Sequence, residues 1–246
     1  PYYWNIAPNS DAFITPNIYT DRGVQVDTLF RYLTWQRLGQ LFYSFLPDDR
    51  EFIKFQTSST TNPTFNTQPG YNRLEDAPTN RTFLAWQDQD IIDPNWSSLI
   101  NFNYVTDDYY FQDFSEAANS LDQSQLLQLG NVNYDTRYWH FSGLIQNYQT
   151  LHPVNNAAVI PDQYARFPQL DLDADDPHYN ALDYNLHSEF VDFRSPLITG
   201  NYQTNFSPMV FGQRYDVKPA VSLPLYSNYG QFIPSLEFDA TQYSLT

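Results

Sequence analysis

Apolar and polar side chains alternate at every second position in windows of about 8 to 11 residues along this chain, and a repeated period of two fits extended strands with one dry and one wet face. The last window is the cleanest. Phe232, Pro234, Leu236, Phe238 and Ala240 fall on one face, and Ile233, Ser235, Glu237, Asp239 and Thr241 on the other. Val24, Val26, Thr28, Phe30 and Tyr32 oppose Gln25, Asp27, Leu29 and Arg31 in the same way, and Val217, Val221, Leu223 and Leu225 oppose Asp216, Lys218 and Ser222. Further strands are predicted near 10–19, 38–46, 81–89, 96–105, 126–134, 138–148, 164–172 and 181–192, with the tail of another at Pro1 to Ile6. The fold class expected is all-β, an antiparallel transmembrane β-barrel of which about 11 to 12 strands are present. On the wet, lumen-facing side the pattern puts Asp27, Arg31, Glu237 and Asp239.

The connections alternate in length. Short ones are predicted at Ala7-Pro8-Asn9, Thr34 to Arg37, Asp90 to Asn95, Tyr134 to Arg137, Ala174 to Asn180 and Ser227 to Gly230. Long ones fall between them, at about 47–80, 106–124, 149–163 and 193–214, with only Thr20 to Gly23 short. Successive turns of an antiparallel sheet lie at opposite ends, so the two sets sort to opposite rims, as in outer-membrane barrels. A soluble β-sandwich has no reason to keep that parity. Aromatics near strand ends, Tyr19, Tyr32, Trp35, Trp96, Tyr104, Tyr109, Tyr110, Tyr138 and Trp139, would sit as interfacial girdles.

Composition narrows the functions. The 246 residues carry 12 basic against 28 acidic side chains, a formal charge of −16, so no basic stripe exists for nucleic acid. Aromatics reach 18% while mean hydropathy is −0.54. No segment approaches the roughly 18 consecutive apolar residues of a membrane helix. There is no cysteine, which excludes thiol chemistry and disulfides within the segment. The sequence opens at Pro1 without Met or a signal peptide and is expected to be a mature chain or an excised segment.

No catalytic constellation, metal site or cofactor site emerges. His140, His152, His178 and His187 show no zinc-ligand spacing and are expected in the lumen or in loops. The run Asp171 to Asp176 has the start of a calcium loop but lacks its glycine and its distal glutamate, so a solvated acidic turn is expected. Pro1, Pro16, Pro168, Pro219, Pro224 and Pro234 sit in or beside predicted strands, where each removes a ladder donor or marks an edge or bulge.

The opening run Pro1, Tyr2, Tyr3, Trp4, Asn5, Ile6, Ala7, Pro8, Asn9, followed by Asp11-Ala12, Thr15-Pro16, Arg22-Gly23, Phe30 to Leu33 and Leu46 to Arg50, resembles the start of the barrel of the LptD family. Asp93 to Trp96, Asn103 to Tyr110 with Asp113-Phe114, Pro219 to Pro224 and Tyr229-Gly230 are similar to the same family. The resemblance implies that residues 1–246 form the front of a larger outer-membrane barrel, with a periplasmic jelly-roll domain and the rest of the barrel outside this segment. It implies a Gram-negative translocon that moves lipopolysaccharide into the outer leaflet through a lumen and a lateral gate. The partners implied are lipopolysaccharide, the plug lipoprotein LptE, periplasmic bridge proteins and outer-membrane lipid. By motif position the gate prolines correspond to Pro1 and Pro16. A porin-type or nutrient-uptake barrel and a soluble acidic β-rich binding module stay open beside this reading.

Overall fold

The computed structural model describes residues 1–66, 71–114, 124–154, 160–179, 181–194 and 211–245. Eleven strands pair consecutively and antiparallel: β1 (Tyr2–Ala7), β2 (Ser10–Tyr19), β3 (Gly23–Leu33), β4 (Arg37–Leu46), β5 (Arg81–Ile91), β6 (Trp96–Val105), β7 (Gln125–Asp135), β8 (Trp139–Thr150), β9 (Ala165–Tyr179), β10 (Leu182–Arg194) and β11 (Gly212–Ser222). A twelfth place beside β11 is shared by two short strands, Ser235–Glu237 and Ala240–Leu245. Between them and β11 comes a hairpin of β12 (Leu225–Ser227) and β13 (Gly230–Phe232), so the two short strands are β14 and β15. The sheet is open, with β1 at one edge. Among the described residues no helix is long and apolar enough to cross a membrane.

Consecutive antiparallel pairing fixes the two rims. Short connections gather at one rim, where side chains close the turns: Thr34 Oγ1 accepts from the Arg37 N–H (2.9 Å), Asp93 Oδ1 from the Trp96 N–H (2.9 Å) and Thr136 Oγ1 from the Trp139 N–H (3.1 Å). Thr20 to Arg22 and the described parts of the connections after β4, β6 and β8 lie at the other rim, while residues 195–210 of the expected connection 193–214 lie outside the described residues.

Several expectations need correction. The segment 47–80, read as a loop, holds helices α1 (Arg50–Thr61), α2 (Pro63–Asn66) and α3 (Tyr71–Glu75), and α4 (Tyr110–Asp113) follows β6. Asp49 caps α1 by accepting from the Glu51 and Phe52 N–H groups, a local device that period-two patterning does not detect. Tyr109 and Tyr110 are buried beneath these loops and do not form a girdle. The acidic run Asp171 to Asp176 is no solvated turn. It lies within β9, paired on both sides, because Leu170, Leu172 and Ala174 alternate with Asp171, Asp173 and Asp175.

The final strand is also interrupted, for a reason legible in the register. Val217 pairs with Ala240, Val221 with Leu236 and Leu225 with Phe232, one continuous register of a long hairpin. The Phe238 N–H donates to the Pro219 carbonyl (3.0 Å) and the Leu223 N–H to the Pro234 carbonyl (2.9 Å). At both pairs the returning donor is a proline nitrogen, so the ladder breaks there twice. One face of this hairpin is wholly apolar, Val217, Pro219, Val221, Leu223 and Leu225 against Ala240, Phe238, Leu236, Pro234 and Phe232.

Candidate functional site

Cross-strand partners share a sheet face, so a row of pairs traces each face across the molecule. Leu33, Leu38, Gln89, Leu99, Asn131, Leu144, Gln169, Val191, Arg214 and Tyr243 form one such row. Ser44 lies on that same face of β4, and the Tyr110 hydroxyl at the head of α4 bonds to it (3.0 Å). We call it the inner face. Asp27 and Arg31 lie on it through β3, and Glu237 and Asp239 through the last strand.

Beside β1 the inner face carries a polar track. Arg31 makes two bonds to Asp11 (2.9 and 2.6 Å) and lies over the Phe13 ring at 4.9 Å, while Tyr3 donates to Asp11 at 3.4 Å. Gln40 donates to Gln87 across the next strands (2.8 Å). Asn5, Asp11, Arg31, Gln40, Gln87 and Asn101 help line a concavity of about 660 Å³. Asp27 accepts from Asn17 (2.6 Å) and Gln25 (2.8 Å). At the far end Asp239 lies 3.7 Å from Lys218, which also meets Asp216 at 3.2 Å.

The edge geometry gives the two family prolines a shared property. The Leu33 N–H donates to the Asn9 carbonyl, so odd residues of β2 bond to β3 and even ones to β1. The nitrogen of Pro16 therefore faces the β1 side, one pair beyond Ile14 with Tyr2. Tyr2 and Trp4 bond to β2, which turns Pro1, Tyr3 and Asn5 toward the free edge. Neither proline supplies a donor on this side of the sheet. The rest of the opening motif, Tyr2 to Ala7 with Pro8-Asn9 at the turn, builds β1 itself, and Tyr2, Tyr3, Trp4 and Ile6 are exposed.

At the long-loop rim the structure assembles residues that pattern reading did not connect. Arg81, fully buried, bonds to Asp107 through two nitrogens (both 2.9 Å), to Asp49 (3.1 Å) and to Asp113. Arg22 reaches Asp49 (2.7 Å) and Asp113 (2.5 Å) from the β2–β3 turn. Arg81 also sits over Phe52 at 4.5 Å and Phe114 at 4.9 Å. Arg73 pairs with Asp108 (2.7 Å), whose carboxyl burial holds above the usual range despite that partner. Burial likewise raises the Tyr110 phenol. The aspartates all lie in motifs singled out above, as does Arg22, but Arg73 and Arg81, which also collect them, do not. His140, His152 and His187 pair with Asp135, Asp162 and Asp173, while the side chain of His178 lies outside the described residues. Among the described residues no three His, Asp or Glu side chains converge in a metal-ligand group.

An antiparallel sheet of consecutive strands, with a wholly apolar outer face on its last hairpin, a polar track on the inner face beside β1 and turns sorted by length, defines part of a transmembrane β-barrel. A family model, LptD: LPS transport system D, matches residues 79–246. Proteins named LPS-assembly protein LptD cover the opening motif as well: that of Coxiella burnetii is 32% identical over 100% of this chain, and that of Legionella pneumophila strain Paris 35% over 100%. The Shewanella oneidensis protein is 31% identical over 99% of the chain. The chain belongs to the LptD family. It spans 29%, 28% and 27% of those three relatives, so it is the counterpart of one portion of them.

Proposed function

We propose that this chain is the front wall of an outer-membrane lipopolysaccharide translocon of Gram-negative bacteria, with β1 as one lip of its lateral gate. The observation that carries the reading is the direction of the two prolines: Pro16 presents no N–H toward β1, and Pro1 none toward the strand that would close the seam. A seam that lacks the donor of Pro1, beside a strand β1 whose own ladder to β2 lacks that of Pro16, opens at lower cost. Acyl chains would pass sideways into lipid through it, while the sugar portion moves along the inner face past Asp11, Arg31, Gln40 and Gln87. Asp27, Arg31, Glu237 and Asp239 are then lumen-facing, and the apolar row from Val217 to Leu225 faces lipid. This wall does no covalent chemistry in the proposal. LptE would plug the lumen, and periplasmic bridge proteins would deliver lipopolysaccharide through the jelly-roll domain.

The test replaces Pro1 and Pro16 with valine in the full-length protein and follows lipopolysaccharide arrival at the cell surface. Slower delivery with normal assembly and normal LptE binding is expected, and Pro168→Val or Pro234→Val should leave delivery unchanged. Normal delivery in a double variant whose seam is shown to be fully paired would reject the gate while leaving family membership intact.

A further inference from the structure

The β6–β7 ladder runs from Trp96 with Tyr134 to Phe102 with Gln128 and stops, although β6 continues to Val105 and β7 begins at Gln125. Each strand stays paired on its other side, Val105 with Phe83 and Gln125 with Thr150. β8 and β9 part at a similar level, their last pair being Gln146 with Arg166. The end of the β7–β8 hairpin, residues 125–127 with 148–150, is therefore a two-stranded tongue joined by a ladder to neither neighbour.

Parity assigns Leu126 and Gln149 to the outer face, yet they are only 1% and 5% exposed. Leu126 belongs to one apolar cluster with Leu46, Phe83 and Val105, all on the inner face. The tongue has thus left the wall and lies behind β5 and β6.

The backbone groups it abandons have surrogate partners. The Thr106 N–H donates to the Thr82 carbonyl, so Asn103 and Val105 point their backbone groups to the β7 side. The Val105 N–H donates to Gln149 Oε1 (3.0 Å), and Gln149 Nε2 donates to the Val105 carbonyl (2.7 Å). Gln128 Nε2 donates to the Asn103 carbonyl (3.2 Å), and Asn103 Nδ2 to the Leu127 carbonyl (2.9 Å). A side-chain amide offers both a donor and an acceptor, so it replaces a peptide unit of a missing strand.

Those backbone groups have a second possible set of partners. Continuing the β6–β7 register would pair Asn103 with Leu127 and Val105 with Gln125, and this ladder excludes the amide bonds. The tucked arrangement is also imperfect, since Asn103 Oδ1, Asn147 Oδ1 and Thr150 Oγ1 are buried without a partner. Such orphans raise its free energy and bring the two arrangements closer.

We propose that the tongue is a movable piece of wall with two docked positions. In one it is tucked behind β6 and latched by Gln149, Gln128 and Asn103; in the other it is zipped between β6 and β9. Tucked, it leaves the wall two strands short at the long-loop rim, and zipped, it closes the wall. Two packed arrangements exchanging one hydrogen-bond set for another make a discrete switch.

Cysteine pairs in the full-length protein in its membrane test this. Val105→Cys with Gln125→Cys traps the zipped position, and Val105→Cys with Gln149→Cys the tucked one, with each disulfide mapped by mass spectrometry. Both pairs should close, and Gln149→Leu, which removes two latch bonds, should raise the yield of the zipped pair by about tenfold. A zipped pair that never closes, with or without Gln149→Leu, means a fixed tongue and overturns the proposal. If Gln149→Leu does not assemble, the Val105 and Gln125 pair, which leaves Gln149 in place, decides the matter alone.

Discussion

The guanidinium of Arg81 donates to both carboxylate oxygens of Asp107, each at 2.9 Å, with neither side chain exposed to solvent. This pair draws the chain after β6 against the start of β5, and Asp49 and Asp113 join it from α1 and α4. Removing the cation leaves buried carboxylates uncompensated. Arg81→Met should therefore cost about 3 to 5 kcal/mol, measured by denaturant unfolding of the assembled protein. A loss of under about 1 kcal/mol, the range of an exposed pair, would show that the cluster does not hold the loops.

Tyr110 gives this rim an alkaline limit. Burial raises its phenol, so the folded state holds the proton more tightly than the unfolded state. That stabilisation is complete below the ordinary tyrosine value of about 10 and is lost as pH rises through the higher folded value. Tyr110→Phe removes the titration and the bond to Ser44, costing about 0.5 to 1.5 kcal/mol at neutral pH. The variant should then lose less stability than the native protein above pH about 10. Equal alkaline losses in the two proteins would refute the assignment.

The prolines of the last hairpin separate by direction. Pro219 and Pro234 point their nitrogens across the hairpin, at Phe238 and Leu223, whereas the nitrogen of Pro224 points to the β10 side. Valine at 219 or 234 should restore one bond worth about 0.5 to 1.5 kcal/mol and slow amide exchange at Phe238 or Leu223. Valine at 224 should do neither. Identical protection in all three variants would contradict the register.

Much of this fold was legible because its signals are periodic. Alternation located β2 to β8 and β10 closely, β9 only in its first half and β11 without its first residues, and connection parity located the rims, since both follow from strand geometry alone. What sequence concealed depends on partners far apart in the chain. Arg81 looks like an ordinary strand-end arginine and Arg22 like an ordinary turn residue until folding brings Asp49, Asp107 and Asp113 around them. Leu126 and Gln149 carry outer-face parity, and only the departure of the tongue from the wall buries them. The first edge shows both cases: Pro1 and Pro16 were visible as prolines, but the direction of their nitrogens required the pairing register.

Gly39 is required by its neighbour. The Tyr32 ring crosses the space that a Cβ at position 39 would occupy, and its hydroxyl donates to Asp88, which also accepts from Arg37 (2.9 Å). Gly39→Val should expel the ring and separate this cluster, costing about 1 to 3 kcal/mol as overpacking does. Tyr32→Ala in the same chain should recover part of the loss. No recovery would mean that the ring is not the obstacle.

The gate is tested most directly by amide exchange along β1 in the full-length protein in its membrane. Tyr2 and Trp4 bond to β2, whereas Tyr3 and Asn5 face the seam. The Tyr2 and Trp4 amides should be protected and those of Tyr3 and Asn5 should exchange fast, with valine at position 1, which adds a donor on their side of β1, slowing the latter pair by up to about tenfold. Protection of Tyr3 and Asn5 equal to that of Tyr2 and Trp4 in the native protein would mean a closed, fully paired seam and would contradict the lateral gate.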